Sequence, residues 1–567
     1  MKIAGIELPE PLEEAVRSCR RHFIAVGVFS ALINLLYLAP ALYMLQVYDR
    51  VLTTGGTTTL VFITIGLAIA LVTLAALDAI RSRLLVRAGA QLNAELSPKI
   101  VEQMLTRGGR ENVQAMRDFD TVRQAVASPA IAALFDLPWV PIFIVVCFLL
   151  HFWIGFLAVA TIIGLLLMAR HNQQLTRPTI EEATQAMAIS HSSEQAAALQ
   201  SGTLRGLGMI EAMGNRQLAL RALGIDAQAR AQFVGSRYSA TSRFVRMFVQ
   251  SAALGLGALL AIAGSMSAGG IIAGSILLGR ALQPIDGLIN GWSILTSARA
   301  ALDRLSTVLR QTMEADRIRT SLPTPEGRLG VEQVGVRARD GRAILFGVTF
   351  DIQPGEVLGV IGPSGSGKTT LAKVVAGANS PDVGVVRIDG AQRNDWDPDE
   401  LGRYVGYLPQ EPSLFEGTIK ENIARFADGQ ELDLDAKVIK AAKLAGVHEM
   451  ILRMPQGYDT MLGPMGGGVS AGQSQRIALA RALFRDPPIL ILDEPNAFLD
   501  GEGEAALINA LREARDRGAS VLLVAHRRSV LDLADRLLVI DAGKQKAIGP
   551  TKEVVRQLSS ATGEAAA

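Results

Sequence analysis

Long apolar runs alternate with charged, helix-forming stretches along the first 310 residues of the chain. A helix needs about 20 apolar residues to cross about 30 Å of hydrocarbon, so the apolar runs are candidate membrane spans. The polar stretches 78–120 and 169–246 read as long helices that leave the membrane, and Gly206 and Gly208 indicate a turn near the middle of the second. We therefore predict six spans joined by helical arms, at residues 23–47, 60–77, 131–150, 153–168, 247–266 and 270–282.

The pattern changes after residue 313, where Pro323, Pro325 and Gly327 indicate a linker. Beyond it, short apolar runs alternate with helical stretches and turns, which is typical of a soluble α/β domain. The predicted organisation is a cytoplasmic N-terminal lead, a six-span region with long cytoplasmic helical extensions, the linker, the α/β domain and a flexible C-terminal tail. These parts cover residues 1–22, 23–312, 313–328, 329–556 and 557–567 respectively.

Composition agrees with a protein that lies partly in lipid. The 567 residues are 49% apolar and 19% charged, with a mean hydropathy of +0.28. The net charge of +2 gives no reason to expect nucleic acid as a partner. Cys19 and Cys147 are the only cysteines, which argues against a disulfide framework and a thiolate metal site. Arg17, Arg20 and Arg21 favour a cytoplasmic N-terminus, and we see no cleavable signal peptide.

Two of the predicted spans contain an ionisable residue that needs an explanation. Asp136, followed by Pro138 and Pro141, marks the start of the third span, where we expect it either at the membrane interface or in a helix-break network, and we favour the interface role over direct substrate chemistry. Arg280 interrupts the sixth span, and we expect it to extend from a helix end towards water.

The α/β domain opens on a phosphate-binding loop, residues 362–370, which reads GPSGSGKTT. A strand-like run, 357–361, precedes it and a helical stretch, 371–376, follows, as the P-loop pattern requires. The glycines turn successive N–H groups towards a polyphosphate, the lysine supplies a positive charge, and the first threonine offers a hydroxyl to Mg²⁺. A chance glycine-rich turn is the weaker alternative. The predicted nucleotide-binding residues are Gly362, Pro363, Ser364, Gly365, Ser366, Gly367, Lys368, Thr369 and Thr370.

Polar residues follow three further strand-like runs. Asp493 and Glu494 end the apolar run 489–492, where the first would hold Mg²⁺ and the second would polarise the attacking water. Gln410 and His526 each follow such a run and are placed to reach a γ-phosphate or the water. Taken singly, Gln410 and His526 could equally be ordinary residues at strand ends.

A small polar segment, 469–473, precedes a second good helix. Ser470, Gly472 and Gln473 there favour an anion site, because a helix N-terminus carries unpaired N–H groups and partial positive charge. The P-loop already covers one phosphate face, so this segment could serve the nucleotide of a second subunit. The alternative is a simple helix N-cap.

Together, these motifs resemble the ATPase of ABC transporters over residues 329–555. The resemblance identifies Gly362–Thr369 as Walker A, Gln410 as the Q-loop, Ser470–Gln473 as the signature, Asp493 and Glu494 as Walker B with the catalytic glutamate, Asp500 as the D-loop and His526 as the switch histidine. Residues 22–310 resemble the exporter-type transmembrane domain. The expected fold is therefore a membrane all-α six-helix exporter-type domain fused to a soluble α/β P-loop nucleotide-binding domain of the ABC type.

Residues 42–52, 135–141, 270–292 and 407–422, with Trp396, look more narrowly like the type I secretion ATPases that export proteases, RTX proteins and related polypeptides. This resemblance implies a homodimer in the bacterial inner membrane, multi-pass, with its ATPase in the cytoplasm. The implied partners are a periplasmic membrane-fusion adaptor, an outer-membrane channel protein, the secreted polypeptide and the lipid bilayer.

The resemblance also implies the roles of the site residues. ATP with Mg²⁺ would be held between one P-loop and the partner's Ser470 and Asp500. Lys368, Gln410, Glu494 and His526 would be catalytic, and Thr369, Gln410 and Asp493 would hold the metal.

Two other functions, from different classes, stay open. One is a lipid or drug exporter (flippase) of the same fold, although the spans offer little cationic lining besides Arg280. The other is an ATP-gated channel or regulatory membrane ATPase, against which Glu494 and His526 argue because they favour hydrolysis. The six spans exclude a soluble ABC ATPase of DNA repair.

Three positions depart from the ABC pattern. Ala471 replaces the first signature glycine and would be strained at a positive φ. The aromatic residue that usually stacks on adenine is missing around residues 336–339, where Arg337 and Arg339 are the available side chains. Pro464 stands where exporters often carry a glutamate.

Overall fold

The computed structural model describes residues 2–3, 6–107, 110–313, 322–338, 340–427, 431–463 and 466–564. The chain forms two compact units, Met1–Asp316 and Arg317–Ala567. The division between them falls in the predicted linker, and the finer predicted boundaries at residues 22, 312, 328 and 556 stay predictions. Arg339 and Pro464, which carried two of the predicted departures, lie outside the described residues.

The first unit is helical, apart from a short hairpin of β1 (Lys2–Ile3) and β2 (Ile6–Glu7). A π-helical turn, Val47–Val51, and a 3-10 turn, Leu137–Trp139, interrupt its helices. The helices are α1 (Glu10–Ser18), α2 (Arg20–Leu36), α3 (Ala39–Gln46), α4 (Leu52–Thr54), α5 (Thr57–Arg107), α6 (Arg110–Val126), α7 (Pro129–Asp136), α8 (Val140–Leu150), α9 (Phe152–Leu199), α10 (Ser201–Gly206), α11 (Ile210–Ile262) and α12 (Ala268–Met313).

Six helical segments in the described part of the chain are long and apolar enough to cross a membrane, in agreement with the six predicted spans. They are Arg20–Thr54, Thr57–Thr106, Pro129–Leu150, Phe152–His171, Ile210–Ile262 and Ala268–Arg310. The predicted turn of the second arm is also present, because Gly208 has a φ of +67° between α10 and α11. Glycine adopts this left-handed backbone at little cost.

Apolar clusters join the helices of the first unit. One cluster, which we call the α1 cluster, joins α1, α5, α6 and α12 through the buried Leu12, Leu96, Phe119 and Leu305. A second joins α8, α9, α11 and α12, with Leu278 fully buried at its centre. The amphipathic α1 is thereby packed against helices that come from widely separated parts of the sequence.

Asp49 links the first and last spans. It lies in the π-helical turn, where one carboxylate oxygen accepts a hydrogen bond from the Gly269 N–H at 2.8 Å and the other from the Ser267 hydroxyl at 2.6 Å. A Cβ at Gly269 would lie 2.8 Å from both Asp49 and the Leu45 carbonyl oxygen, so only glycine permits this approach. The carboxylate also complements the positive N-terminal end of α12.

Asp136 lies in a largely buried polar network at the end of α7, which is one of the two environments expected for it. Arg81 donates to its two oxygens at 2.8 and 2.9 Å, and the Asn34 amide donates to it at 2.8 Å. Arg81 also pairs with Asp78 at 2.7 Å and donates to the Ser30 hydroxyl at 3.1 Å. The network joins α2, α5 and α7 at the end of α7. The pairing matters because a buried charge is costly when it has no partner.

Arg280 differs from its prediction. Its guanidinium carbon lies 3.9 Å from the centroid of the Tyr37 ring, and it donates to Gln283 at 2.7 Å. A cation over an aromatic face is stabilised by the ring quadrupole. Arg280 lies inside α12 rather than at a helix end, and it ties α12 to the end of α2.

The second unit is an α/β domain. Its strands are β3 (Leu329–Arg337), β4 (Ala343–Ile352), β5 (Val357–Ile361), β6 (Val383–Ile388), β7 (Ala391–Gln392), β8 (Val405–Leu408), β9 (Gly417–Thr418), β10 (Met461–Leu462), β11 (Ile489–Asp493), β12 (Ser520–Val524), β13 (Arg536–Asp541) and β14 (Lys544–Pro550). Its helices are α13 (Lys368–Ala376), α14 (Pro398–Gly402), α15 (Ile419–Ile423), α16 (Leu434–Leu444), α17 (His448–Leu452), α18 (Ala471–Leu483), α19 (Gly501–Asp516), α20 (Arg528–Leu531) and α21 (Thr551–Glu564). Short 3-10 turns cover Arg393–Asp395 and Gly457–Asp459.

Ten of these strands form one sheet in the order β7-β6-β3-β4-β14-β13-β5-β12-β11-β8. Strands β13, β5, β12, β11 and β8 run parallel, and β3, β4, β6 and β7 form an antiparallel end. The residues of β11 and β12 are buried along their whole length, as expected for parallel strands covered on both faces. The carboxyl ends of β5, β8, β11 and β12 meet at one edge, where the predicted site residues follow.

Candidate nucleotide site

The P-loop connects β5 to α13. Gly362 is required by packing, because a Cβ there would lie 1.9 Å from the Ile540 carbonyl oxygen. Gly367 is the N-cap of α13 and has a φ of +103°. The glycine-rich loop therefore ends directly at the α13 N-terminus, which is where a phosphate-binding loop lies.

Lys368 occupies the inside of this loop. Its Nζ donates to the carbonyl oxygens of Gly362 and Pro363 at 2.9 and 2.8 Å, and the residue is only 5% exposed. Burial lowers the pKa of Lys368, while the nearby carboxylates of Glu494 and Asp493 act in the opposite direction. Phosphate oxygens could replace the two carbonyls as acceptors for this ammonium group.

Three oxygen-bearing side chains meet at the start of α13. The Thr369 hydroxyl lies 3.3 Å from Gln410 Oε1 and 3.4 Å from Asp493 Oδ1. Asp493 is fully buried, and within the described residues its Oδ2 has no hydrogen-bond partner. Burial raises the pKa of Asp493. A buried oxygen that lacks a partner, beside a hydroxyl and an amide oxygen, fits a hard cation such as Mg²⁺.

Glu494 and His526 form a pair at the ends of β11 and β12. Glu494 Oε1 lies 3.3 Å from His526 Nε2. The register explains this distance, because Asp493 is paired with Val524 and the next residues leave the sheet together. Glu494 has a φ of +50°, a left-handed conformation that is costly for a non-glycine residue and is often found at functional sites.

Ser470 and Gln473 form a capping box at the start of α18. The Ser470 N–H donates to Gln473 Oε1 at 2.9 Å, and the Gln473 N–H donates to Ser470 Oγ at 3.3 Å. Ala471 is the first helical residue and is absent from the residues with positive φ in the described part of the chain, so the expected strain is not present. Both Ser470 and Ala471 are exposed.

Asp500 belongs to this second cluster. It is the N-cap of α19, accepts a hydrogen bond from the Gly503 N–H at 2.8 Å, and forms an ion pair with Arg476 of α18. The Gly503 N–H and, less strongly, Arg476 hold the pKa of Asp500 below its usual value. One group of predicted residues therefore meets at the P-loop, while Ser470 and Asp500 lie together on α18 and α19.

Comparisons with known proteins agree with this geometry. The sequence profile of the ABC transporter family matches residues 345–497. The type I secretion system ATP-binding protein PrsD of Rhizobium meliloti (strain 1021) is 40% identical over 555 residues, which are 96% of this chain and 94% of that protein. This chain belongs to the type I secretion ATP-binding proteins of the ABC transporter family.

Other similar proteins are the toxin RTX-I translocation ATP-binding protein of Actinobacillus pleuropneumoniae and the cyclolysin secretion/processing ATP-binding protein CyaB of Bordetella pertussis (strain Tohama I). Each is 30% identical, over 95% and 92% of this chain and 77% and 74% of those proteins. The structure of a bacterial Atm1-family ABC exporter with ATP bound has the same fold, with a TM-score of 0.81 at 22% identity over 95% of this chain and 96% of that one. The predicted family and fold are confirmed, and this secretion ATPase is a multi-pass, ATP-binding protein.

The individual roles of the site residues in this secretion ATPase stay predictions. Sequence reasoning missed the ion pair of Arg527 with Glu504, 2.7 Å, which holds the residue next to His526 against the first turn of α19. It also missed the pairing of Arg476 with Asp500. The signals were present, since Arg527 directly follows His526 and Glu504 lies four residues after Asp500, but the pairing of distant segments is not readable from spacing.

Strand β4 lies beside the P-loop. The Ile344 carbonyl oxygen would lie 3.2 Å from a Cβ at Gly367, so β4 passes directly beside the loop. Ile344 is partly buried. It is a candidate wall for the nucleotide base in the absence of the usual aromatic residue.

Proposed function

We propose that this chain is the ABC component of a type I secretion system and that it exports unfolded polypeptides across the bacterial inner membrane, driven by ATP hydrolysis. The observation that carries the proposal is 40% identity to a type I secretion ATP-binding protein along almost the whole length of both chains. The names of the two relatives that handle RTX-I toxin and cyclolysin support a polypeptide as the cargo.

The P-loop residues act first in the proposed cycle. The N–H groups of the P-loop glycines and the Lys368 ammonium group bind the phosphates, after Lys368 exchanges two carbonyl acceptors for phosphate oxygens. Thr369, Gln410 and Asp493 would hold Mg²⁺, which supplies charge neutralisation at the phosphates when it is bound.

Glu494 is the proposed general base for the attacking water. His526, in contact with its carboxylate, orients the carboxylate and stays within reach of the γ-phosphate. The burial of Asp493 keeps bulk water away from one side of this pair. The same chain thus supplies a base, a positioning histidine and a cation at the phosphates.

We further propose that the working form is a homodimer. Ser470 and Asp500 have their contacts on α18 and α19 rather than at the P-loop of their own chain. The N-terminus of α18 is an anion site with its Ser470 exposed, so it is available to the nucleotide of a second copy. Closure of two ATPase units on two nucleotides would bias the attached spans between two states.

The remaining partners follow from the secretion function. A periplasmic membrane-fusion adaptor and an outer-membrane channel protein would continue the path beyond the inner membrane. The lipid or drug exporter is not favoured, because Arg280, the cation that would attract a headgroup, already stacks on Tyr37. A regulatory ATPase without transport is disfavoured by the contact between Glu494 and His526.

ATPase assays on the purified, reconstituted protein test the proposal. We expect the C-terminal segment of a secreted polypeptide to change the hydrolysis rate, whereas a response to lipids alone would support the flippase instead. The matched variant Glu494→Gln should lower steady-state hydrolysis about 100-fold or more and leave ATP binding intact. Undiminished turnover in that variant would exclude Glu494 as the base.

A further inference from the structure

Arg425 lies between two elements that carry site residues. Its Nε donates to the Arg481 carbonyl oxygen at 2.9 Å and one terminal nitrogen to that of Ala482 at 3.1 Å. The other terminal nitrogen donates to the carbonyl oxygens of Gly402 at 2.6 Å and Val405 at 3.0 Å. One guanidinium group thus contacts four main-chain carbonyls in two separate segments.

These carbonyls belong to the far ends of two functional elements. Arg481 and Ala482 end α18, whose other end, about 20 Å away, is the signature serine Ser470. Gly402 ends α14 and Val405 begins β8, which leads to Gln410. Arg425 therefore joins the helix that presents the signature to the strand that presents the Q-loop glutamine.

The local chemistry favours a fixed position for this group. A cation at a helix C-terminus satisfies carbonyls that have no partner within the helix and complements its dipole. Burial, together with the neighbouring Arg485 and Arg481, lowers the pKa of Arg425 to about 10, so the group stays charged at neutral pH. Arg425 and Phe426 have φ values of +56° and +53°, a strained backbone that the surrounding contacts must hold.

A second arginine serves as the natural comparison. Arg393 donates to the carbonyl oxygens of Ala376 at 2.6 Å and Val375 at 3.3 Å, at the end of the P-loop helix α13. Burial lowers its pKa to about 10 as well. Helices α13 and α18 therefore each end on a partly buried arginine, but Arg425 also holds a strand of the sheet.

We propose that Arg425 is a positioning residue that sets the signature helix against the Q-loop strand, so that Ser470 meets the nucleotide of the second subunit in the right place. The proposal rests on the homodimeric ATPase cycle proposed above and not on the identity of the cargo. It separates two steps. ATP binding at the P-loop should not depend on Arg425, whereas enclosure of the nucleotide by the signature should.

The test uses the full-length purified dimer with Arg425→Gln, Arg425→Lys and Arg393→Gln. Arg387→Gln is the control, because Arg387 pairs with Glu332 on the surface. Three readouts are needed for each protein: the Kd for a fluorescent ATP analogue, kcat and KM for ATP, and the amount of nucleotide trapped by vanadate. Hydrolysis by the wild type without added polypeptide is sufficient, so a failure of the cargo proposal does not affect this test.

For Arg425→Gln we expect kcat and vanadate trapping to fall about tenfold, which corresponds to about 1.4 kcal/mol, while the Kd changes less than about twofold. Lysine cannot contact all four carbonyls, so Arg425→Lys should also lower kcat and vanadate trapping more than it changes the Kd, but by less than Arg425→Gln. Arg393→Gln should instead weaken analogue binding. Methylguanidine added to Arg425→Ala should restore part of the trapping, which a purely folding defect would not allow.

The proposal is overturned if Arg425→Lys and Arg425→Gln trap nucleotide as the wild type does. It is equally overturned if their analogue binding and trapping fall in parallel, as in Arg393→Gln. A glutamine variant that does not fold leaves the lysine variant and the methylguanidine experiment to decide between these outcomes.

Discussion

The buried ion pair of Arg81 and Asp136 should respond unequally to removal of its two members. We consider Arg81→Met, Asp136→Leu and the double variant, with Arg83→Met as the control. Arg83 is exposed and lies on the same helix, two residues further along. The quantity of interest is the free energy of unfolding of the helical unit.

The contacts in the structure predict which variant loses the most free energy of unfolding. Without Arg81, the Asp136 carboxylate, whose side chain is 15% exposed, keeps the Asn34 amide but has lost its cation. An uncompensated buried charge costs about 3–5 kcal/mol. Without Asp136, Arg81 still pairs with Asp78 at 2.7 Å, so we expect about 1–3 kcal/mol. The double variant leaves neither Arg81 nor Asp136 as an unpaired charge. Its loss of unfolding free energy should therefore not exceed the smaller of the two single losses.

Unfolding by SDS in mixed micelles, followed by tryptophan fluorescence, measures these differences. Trp139 lies three residues after Asp136 and should report on this region, and ATP binding provides a separate check on the second unit. We expect a coupling energy of about 2 kcal/mol or more between the two sites, and a change within about 0.5 kcal/mol for Arg83→Met. Equal losses in the two single variants, or additive losses in the double variant, would refute the reasoning.

Two further predictions concern the ATPase unit. Arg485 and then Lys437, as hydrogen-bond donors, lower the pKa of Glu431 from 4.5 to about 2, so the ionised pair stabilises the fold above about pH 4.5 and the stabilisation is lost as the pH falls towards 2. Glu431→Gln should flatten acid unfolding in that interval, and an unchanged profile would exclude the pair as a contributor. Ala471→Gly should lower the free energy of unfolding by at most about 1 kcal/mol and change ATPase activity less than about twofold, because residue 471 is helical. A gain in activity of several fold would show that a glycine backbone is needed there.

The nucleotide site was predictable because its information is local. A P-loop is one continuous segment, and residues such as Asp493 and His526 directly follow apolar runs that form parallel strands. Parallel strands bring their carboxyl ends to one edge, so the meeting of Thr369, Gln410 and Asp493 followed from strand assignment alone. The six spans were predictable for a similar reason, since each is a single apolar run.

Contacts between distant segments could not be predicted in this way. Asp136 and Arg81 are 55 positions apart, and neither spacing nor hydropathy indicates that they pair. The same holds for the contact of Arg280 with Tyr37, which lie far apart in the sequence. The predicted strain at Ala471 was wrong because the capping box starts the helix at Ala471, three residues earlier than the sequence alone indicated.

The link from Asp49 to the start of α12 gives the helical unit two ends of different character. At that end, the first and last spans are joined by two hydrogen bonds, one to a partly exposed and one to an exposed group, and water can replace such bonds at a net cost of about 1.5–3 kcal/mol each. At the α1 cluster, the same separation would expose Leu12, Phe119 and their neighbours to water, which no solvent contact can offset. The helical unit therefore combines hydrogen bonds that water can replace with apolar contacts that it cannot. Contact with water should thus weaken the α1 cluster more than the hydrogen bonds of Asp49 if the helices separate.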